Sequence, residues 1–186
     1  INQGLVETIN DFGGKATSIH GTTVFSATQL CGTNDQGESV DLGRVGQVAS
    51  CRTDEILKAI SSGLVPVISP LGSHKDTREI HNINADLAAA ALACSLKPAK
   101  LVYLSDVPGL LRDPSNERSL IESVTGAEAR GLIEDGTISG GMIPKITSAL
   151  DALASGVEKV HFIDGRVPHT LLLEIFTKSG IGTEIR

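Results

Sequence analysis

Asn82, Asn84 and Asp86 stand at alternate positions in HNINADLAAAALA, directly ahead of a run of alanines that favours helix. If the backbone is extended there, the three polar side chains share one face. Two amides could then grip a polar ligand and one carboxylate could orient a cation. The competing account is that Asn84 or Asp86 caps the alanine helix while Asn82 bonds a loop. In SGGMIPK, Gly140 and Gly141 precede a helix start whose first turn tolerates Pro144. Backbone amides left bare at a helix start attract phosphate. Lys145 lies in the same first turn, against the helix dipole, where a nearby anion would offset its charge. A glycine turn followed by a solvated lysine accounts for the same residues. The spacing G-x-x-x-x-G-K-[ST] is absent.

Two further stretches carry polar groups at strand ends. In YLSDVPGLLRD a strand runs into Ser105 and Asp106 and then the turn Pro108-Gly109. It is either an ordinary turn or a strand end that holds the sugar or base of a nucleotide. In DGRVPH and GIGTE, Asp164, Arg166 and His169 read first as capping and turn residues. The five histidines show no metal-ligand spacing, and neither a Ser-His-Asp arrangement nor G-x-S-x-G occurs.

The elements that must position these groups alternate along the chain. INQGLVETINDFGG reads as a helix with Leu5, Ile9 and Phe12 on one face. KATSIH, TTVFSATQL and VGQVAS read as strands. TDEILKAISSG is a helix that Thr53 can cap, and LVPVIS is a buried strand. PLGSHKDTREIH is a polar loop or hairpin ahead of the alanine helix. KLVYLSD is a strand buried on both faces by its apolar run. TGAEARGLIEDG is a helix with Thr125 and Glu128 as a capping box. A helix in KITSALDALASG, a strand in VEKVHFID, a helix in PHTLLLEIFT and a short strand in GTEIR complete the series. Strands alternating with helices predict an α/β fold, a mostly parallel sheet sandwiched between helices.

With 186 residues the chain can bury one core, or part of a larger one. A net charge of −6 argues against nucleic acid or an anionic membrane as partner. The longest apolar run is too short to span a bilayer. The three cysteines, Cys31, Cys51 and Cys94, are widely spaced and fit reduced thiols in a cytoplasm. Ile1 stands inside a helix already under way, so the natural N-terminus is expected upstream.

Taken in order, INQGLVETIN, DLGRVGQV, SGLVPVISPLG, NINAD, LSDVPGLL, GGMIPK and DGRVPH…LLLEIFT…GIGTEI resemble the acetylglutamate kinases of the amino acid kinase family along nearly the whole chain. The resemblance implies phosphorylation of the side-chain carboxylate of N-acetyl-L-glutamate by ATP with Mg²⁺, giving N-acetylglutamyl 5-phosphate in arginine biosynthesis. It implies that residues 1–186 are the C-terminal two thirds of one such α/β domain, with a substrate side at 1–97 and a nucleotide-binding side at 98–186. Asn82 and Asn84 match substrate-binding positions. Asp86 matches the aspartate that positions two catalytic lysines, and Lys145 matches the second of those lysines. Ser105, Asp106, Gly109 and Leu110, with Ser139, Gly140, Gly141 and Lys145, match the nucleotide-binding segments. The family's first strand with its lysine, its glycine-rich phosphate loop and its substrate arginine all precede Ile1. SIHGTT stands where many relatives carry a Gly-Lys-Asp-Gly turn. The C-terminal stretch resembles the region where arginine-inhibited relatives, which are rings of dimers, hold arginine. His169, Glu174, Gly182 and Glu184 are the residues this implies, and a homo-oligomer is implied with them.

This chemistry suits the residues present. A substrate carboxylate, with a pKa of about 4.3, is already a nucleophile at neutral pH, so no general base is needed. The difficulty is charge, which Lys145, helix-start amides and Mg²⁺ would neutralise. A non-catalytic nucleotide-binding or regulatory half, and a kinase of the same fold acting on another carboxylate or a carbamate, remain as alternatives.

Overall fold

The computed structural model describes residues 1–34, 36–177 and 180–186. They divide into two compact units, Ile1–Ser95 and Leu96–Arg186. No helix among them is long and apolar enough to cross a membrane.

The first unit runs α1 (Asn2–Asp11), β1 (Ala16–Ile19), α2 (Gly21–Val24), β2 (Phe25–Thr33), β3 (Ser39–Cys51), α3 (Asp54–Ser61), β4 (Val65–Ile68), β5 (Leu71–His74), β6 (Ile80–Ile83) and α4, which begins at Ala85 and runs to Leu96. β1 and β4 form a parallel pair. β2, β3, β6 and β5 close into a small barrel with alternating antiparallel and parallel pairings. Phe25, Ala27 and Ile83 are buried there. The barrel is not foreshadowed by simple strand-helix alternation. Its β3 spans 13 residues, where the sequence pattern marked only VGQVAS. Thr22 to Val24, expected in a strand, instead make a helical turn, because the Gly21 amide bonds Ser69 Oγ and the Thr23 amide bonds the His20 carbonyl.

Three expectations about packing are corrected. In α1 it is Val6 that is buried, while Leu5 and Phe12 are exposed and Ile9 is half-buried. Thr53 precedes α3 but makes no side-chain cap bond, since its own backbone is already helical. β4 is not a buried strand: Val65 is exposed, and β1 is the strand it pairs with.

The second unit runs β7 (Lys100–Ser105), a short 3₁₀ turn at Glu117–Ser119, β8 (Ser123–Val124), α5 (Gly126–Glu134), α6 (Met142–Ala154), β9 (Lys159–Asp164), α7 (Thr170–Phe176) and β10 (Thr183–Ile185). The sheet order is β7-β9-β10-β8, with β9 and β10 antiparallel and the other pairs parallel. β7 is therefore an edge strand, which is why Leu104 is exposed where burial on both faces was expected. The core is central: Val160, Phe162 and Ile163 of β9 are fully buried, as are Ile146, Ala149 and Ala152 of α6. Tyr103 stacks on Phe162 with ring centroids 4.9 Å apart. The Thr125–Glu128 capping box is present at the start of α5. The chain has the α/β fold expected of it.

Gly21 offers a test of the barrel's approach to the β1–β4 pair. A Cβ built there would lie 2.0 Å from the Ser69 carbonyl oxygen and 2.5 Å from that of Leu71, both rigid backbone. Gly21→Ala is expected to cost about 3 kcal/mol. Urea unfolding should show a lowered midpoint with an unchanged slope, and an unchanged midpoint would contradict this packing.

Candidate functional site

In the first unit, the NINAD segment is extended only as far as Ile83, where β6 ends. The helix begins at Ala85, so Asp86 lies in its first turn rather than in line with the asparagines. Asn84 is the cap: its Oδ1 accepts from the amides of Asp86 at 3.0 Å and Leu87 at 3.2 Å. Such a cap contributes about 1 kcal/mol. Asn82 is exposed and lines a cavity of about 680 Å³ with Ser18, His20, Ser69 and the α1 residues Asn2 and Leu5. Asp86, half-buried and already interacting, adds a negative charge at the helix end that favours one.

In the second unit, the loop after β7 and the turn before α6 line one cleft of about 270 Å³. Val107, Gly109 and Leu110 come from the first, and Thr137, Ile138, Ser139 and Met142 from the second. Two of the anticipated nucleotide stretches are thus neighbours. Gly109 has φ 149°, and a Cβ there would sit 2.5 Å from Thr183 Oγ1, so this position demands glycine. Thr183 Oγ1 accepts from the Leu110 amide at 2.8 Å and donates to the Ile121 carbonyl at 2.6 Å. Ser105 and Asp106 do not line the cleft. The Ser105 hydroxyl instead bonds Asp106 Oδ1, and its carbonyl accepts from the Gly165 amide.

Gly140 has φ 57° and, with Gly141, is exposed at the start of α6. The amides there are less bare than the sequence suggested. Met142 and Ile143 donate to the carbonyls of Ser139 and Gly140, at 3.3 and 3.2 Å. Those bonds are long, so an incoming anion could compete for the donors. Lys145, four residues into α6, is half-buried and has an interaction partner.

A second cavity of this unit, about 420 Å³, is polar and of mixed charge. Lys100, Lys159 and Arg186 face it, along with Glu122, Glu174, Glu184 and His161. Glu174 is buried on α7. Its Oε2 accepts from the amides of Ile181 (2.7 Å) and Gly182 (3.0 Å), and its Oε1 meets His161 Nδ1 at 2.7 Å. Burial alone would push this carboxyl up, but the Ile181 amide, the His161 ring and the Gly182 amide outweigh it and hold the group below its usual range. Gly182 is packed so closely that a Cβ would lie 2.2 Å from the Phe162 carbonyl oxygen. Glu184 pairs with Lys159 at 2.7 Å. His169 has φ 60° and opens α7 without a side-chain cap, and it is not among the residues lining this cavity. Asp164 is held down to about 2 by Arg166, whose guanidinium donates two hydrogen bonds to it.

His161, Lys159 and Thr183 were missed from sequence. Residues 159 and 161 share a face of β9 by period two, and that alternation was the available signal. His161 Nε2 is buried without a hydrogen-bond partner, 3.9 Å from Glu184 Oε2. Because the Glu174 carboxylate is an acceptor, Nδ1 carries the proton toward it. On a neutral ring, Nε2 is then an acceptor awaiting a donor.

The α/β fold, with a cleft of about 270 Å³ beside a glycine turn, narrows the class. The amino acid kinase family model matches residues 1–164, and the chain belongs to that family. It is similar to an acetylglutamate kinase of Akkermansia muciniphila, with 57% identity over 185 residues that cover 100% of this chain and 62% of that protein. The chain spans about 62–63% of the length of the curated relatives it matches. Among solved structures it is similar to N-acetylglutamate synthase from Neisseria gonorrhoeae complexed with coenzyme A and L-arginine, at 31% identity and a TM-score of 0.76, over 92% of this chain and 38% of that one. The same synthase with coenzyme A and N-acetyl-glutamate gives a TM-score of 0.80 at 28% identity, covering 99% and 42%.

The grip on Glu174 makes a pH prediction. Its folded pKa is depressed, so its contribution is complete above the ordinary carboxylate range and is lost as pH falls through the lower folded value. Glu174→Gln is therefore expected to lower Tm at neutral pH, with the gap to the parent narrowing below a pH of about 4. A gap that stays constant down to acid pH would contradict a depressed carboxyl.

Proposed function

We propose that this chain is part of an acetylglutamate kinase, which transfers the γ-phosphoryl group of ATP to the side-chain carboxylate of N-acetyl-L-glutamate. The observation that carries the nucleotide half is the cleft shared by residues 107–111 and 137–142. The identity of 57% to a relative of that name supports the substrate. A carboxylate oxygen bonds to the γ-phosphorus as the bond to the β-γ bridging oxygen breaks, giving the acyl phosphate and ADP. No proton need move, because the attacking carboxylate is already ionised. Lys145 and the amides opening α6 spread positive charge over the transferring oxygens. Asp86 holds an ammonium group by charge-assisted hydrogen bonding. Asn82, exposed beside its cavity, contacts the amino acid, with Asn84 shaping the same helix entrance. Ser105, Asp106, Gly140 and Gly141 flank the cleft-lining residues in sequence and complete the nucleotide segments. ATP enters as its Mg²⁺ complex. A cytoplasmic setting is part of this reading.

ADP release with N-acetylglutamate, compared with glutamate and aspartate, tests the activity in the protein that carries this chain. Lys145→Ala is expected to lower kcat by about 10²–10³ with little change in KM. Asn82→Ala is expected to raise KM for N-acetylglutamate more than for ATP. An unchanged kcat in the first variant would remove the assignment of Lys145. ADP binding without turnover on any of the three acceptors would instead favour a regulatory half, a reading supported by the likeness to a synthase that is not a kinase.

We also propose that the mixed-charge cavity receives arginine as feedback inhibitor in a homo-oligomeric enzyme. A zwitterion with a guanidinium needs both signs of charge. Glu184 supplies an acceptor, while Lys100 and Arg186 suit a carboxylate. The related synthase was solved with L-arginine. Glu174 and Gly182 build the wall through their mutual hydrogen bond, and His169 starts the helix that carries Glu174. Initial rates against arginine should show inhibition that Glu184→Gln weakens by about tenfold or more, and inhibition indifferent to that change would move the site elsewhere.

A further inference from the structure

The barrel of the first unit carries a third polar feature that none of the chemistry above uses. Ser50 of β3, Ser26 of β2 and Ser73 of β5 are direct cross-strand partners, paired Ser26 to Ser50 and Ser26 to Ser73. Directly paired positions present their side chains to the same face, so the three hydroxyls form a row across three strands. Arg52 and Lys75 stand just past the ends of β3 and β5, each two residues beyond its serine. Arg78 completes the set from the β5–β6 turn. All six line one cavity of about 270 Å³ floored by Phe25, and no carboxylate is among its lining residues.

Two of the three cations are tied to the fold, one by its side chain and one by its backbone. Arg52 Nη2 donates to the Thr22 carbonyl at 3.3 Å, leaving its other guanidinium donors free to serve elsewhere. Arg78 has φ 63°, an unfavourable conformation for a residue with a side chain, and its amide bonds the His74 carbonyl at 3.0 Å. His74 Nδ1 accepts from the amides of Asp76 and Thr77, and its own amide bonds the Glu79 carbonyl, which fixes the turn. The turn carries two acids, Asp76 and Glu79; neither lines the cavity, and Glu79 accepts from Thr77 and sits 4.0 Å from Arg44. Three cations and three hydroxyls converging without a counter-charge are unusual on a chain whose net charge is −6. Grouping like charges raises their mutual repulsion, which an anion would relieve.

We propose that this barrel mouth is a binding site for a compact phosphate-class oxyanion, with Arg52, Lys75 and Arg78 supplying charge and Ser26, Ser50 and Ser73 supplying hydroxyl donors. Guanidinium forks match phosphate oxygens in pairs, and a row of hydroxyls can turn its protons to suit whichever oxygens remain. The ligand class is small, free or ester phosphate rather than nucleic acid, because the chain as a whole repels a polyanionic strand.

Amide chemical-shift mapping of the ¹⁵N-labelled protein, titrated with inorganic phosphate and separately with pyrophosphate, tests this directly. Saturable shifts are expected at residues 26, 50, 52, 73 and 75–78, with pyrophosphate the tighter ligand and both weakened by salt. Arg52→Gln with Arg78→Gln should weaken binding by at least about tenfold. Lys75→Gln, an exposed turn change that leaves the strands alone, should weaken it less. Shifts confined to residues 107–111 and 137–145 would overturn the proposal while supporting the nucleotide cleft. An absence of saturable shifts at the barrel, or affinity unchanged in both variants, would also overturn it.

Discussion

Thr183 Oγ1 is the atom on which the second unit's binding surfaces depend. It accepts from the Leu110 amide and donates to the Ile121 carbonyl, and its residue is fully buried. A hydroxyl is suited to this place because it serves as donor and acceptor at once. Two backbone groups of an irregular segment are buried here, and each would cost about 1–3 kcal/mol if left unpaired. The bond also explains Gly109, whose missing side chain is what lets the loop approach the hydroxyl. One strand residue therefore sets the height at which Leu110 closes the floor of the cleft. Valine would fill the same volume and satisfy neither group.

The same strand organises the other cavity by different means. Glu184 follows Thr183 and reaches Lys159, while the amides of Ile181 and Gly182 turn inward to the Glu174 carboxylate. A buried carboxylate is tolerated because three donors surround it. That leaves one consequence on the far side of the His161 ring. Its Nδ1 meets Glu174, which leaves Nε2 buried without a hydrogen-bond partner. An unsatisfied buried polar atom of this kind is uncommon in folded proteins.

How much of this could be read from the chain alone varied with the range of the interactions. The capping box at Thr125, the helices and the alternation of elements rest on neighbours a few residues apart, and they were legible. The burial of KLVYLSD was not, because an apolar run looks the same in a central strand as at an edge, and only pairing places β7 at the end of its sheet. The barrel was likewise hidden: its four strands join residues as distant as Phe25 and Gly72. At NINAD the sequence offered two accounts, and the one in which Asn84 or Asp86 caps the helix is borne out by Asn84. Alternation suggested three side chains on one face, whereas a strand that stops at Ile83 hands Asn84 to the helix as its cap. His161 escaped notice because a lone histidine in an apolar strand reads as core until its second nitrogen is seen to lack a partner.

On a chain of net charge −6, any site for an anionic ligand must concentrate cations, since the average field opposes them. Within each unit the cations are indeed placed by backbone rather than scattered. Arg52 and Lys75 are carried past the ends of paired strands, and Arg78 is fixed by a turn in a left-handed conformation. Lys159 is set on a central strand opposite Glu184, close enough for a 2.7 Å pair. Lys145 rides the first turn of α6, where the helix dipole disfavours it. Some of these placements cost something locally, as strain at Arg78 or as work against a dipole at Lys145. A side chain free in solvent would incur none of these costs, but it would also bring no preset geometry to an incoming oxyanion. The local penalties and the sites are accordingly two aspects of one arrangement, in which positive charge is held where the fold can aim it.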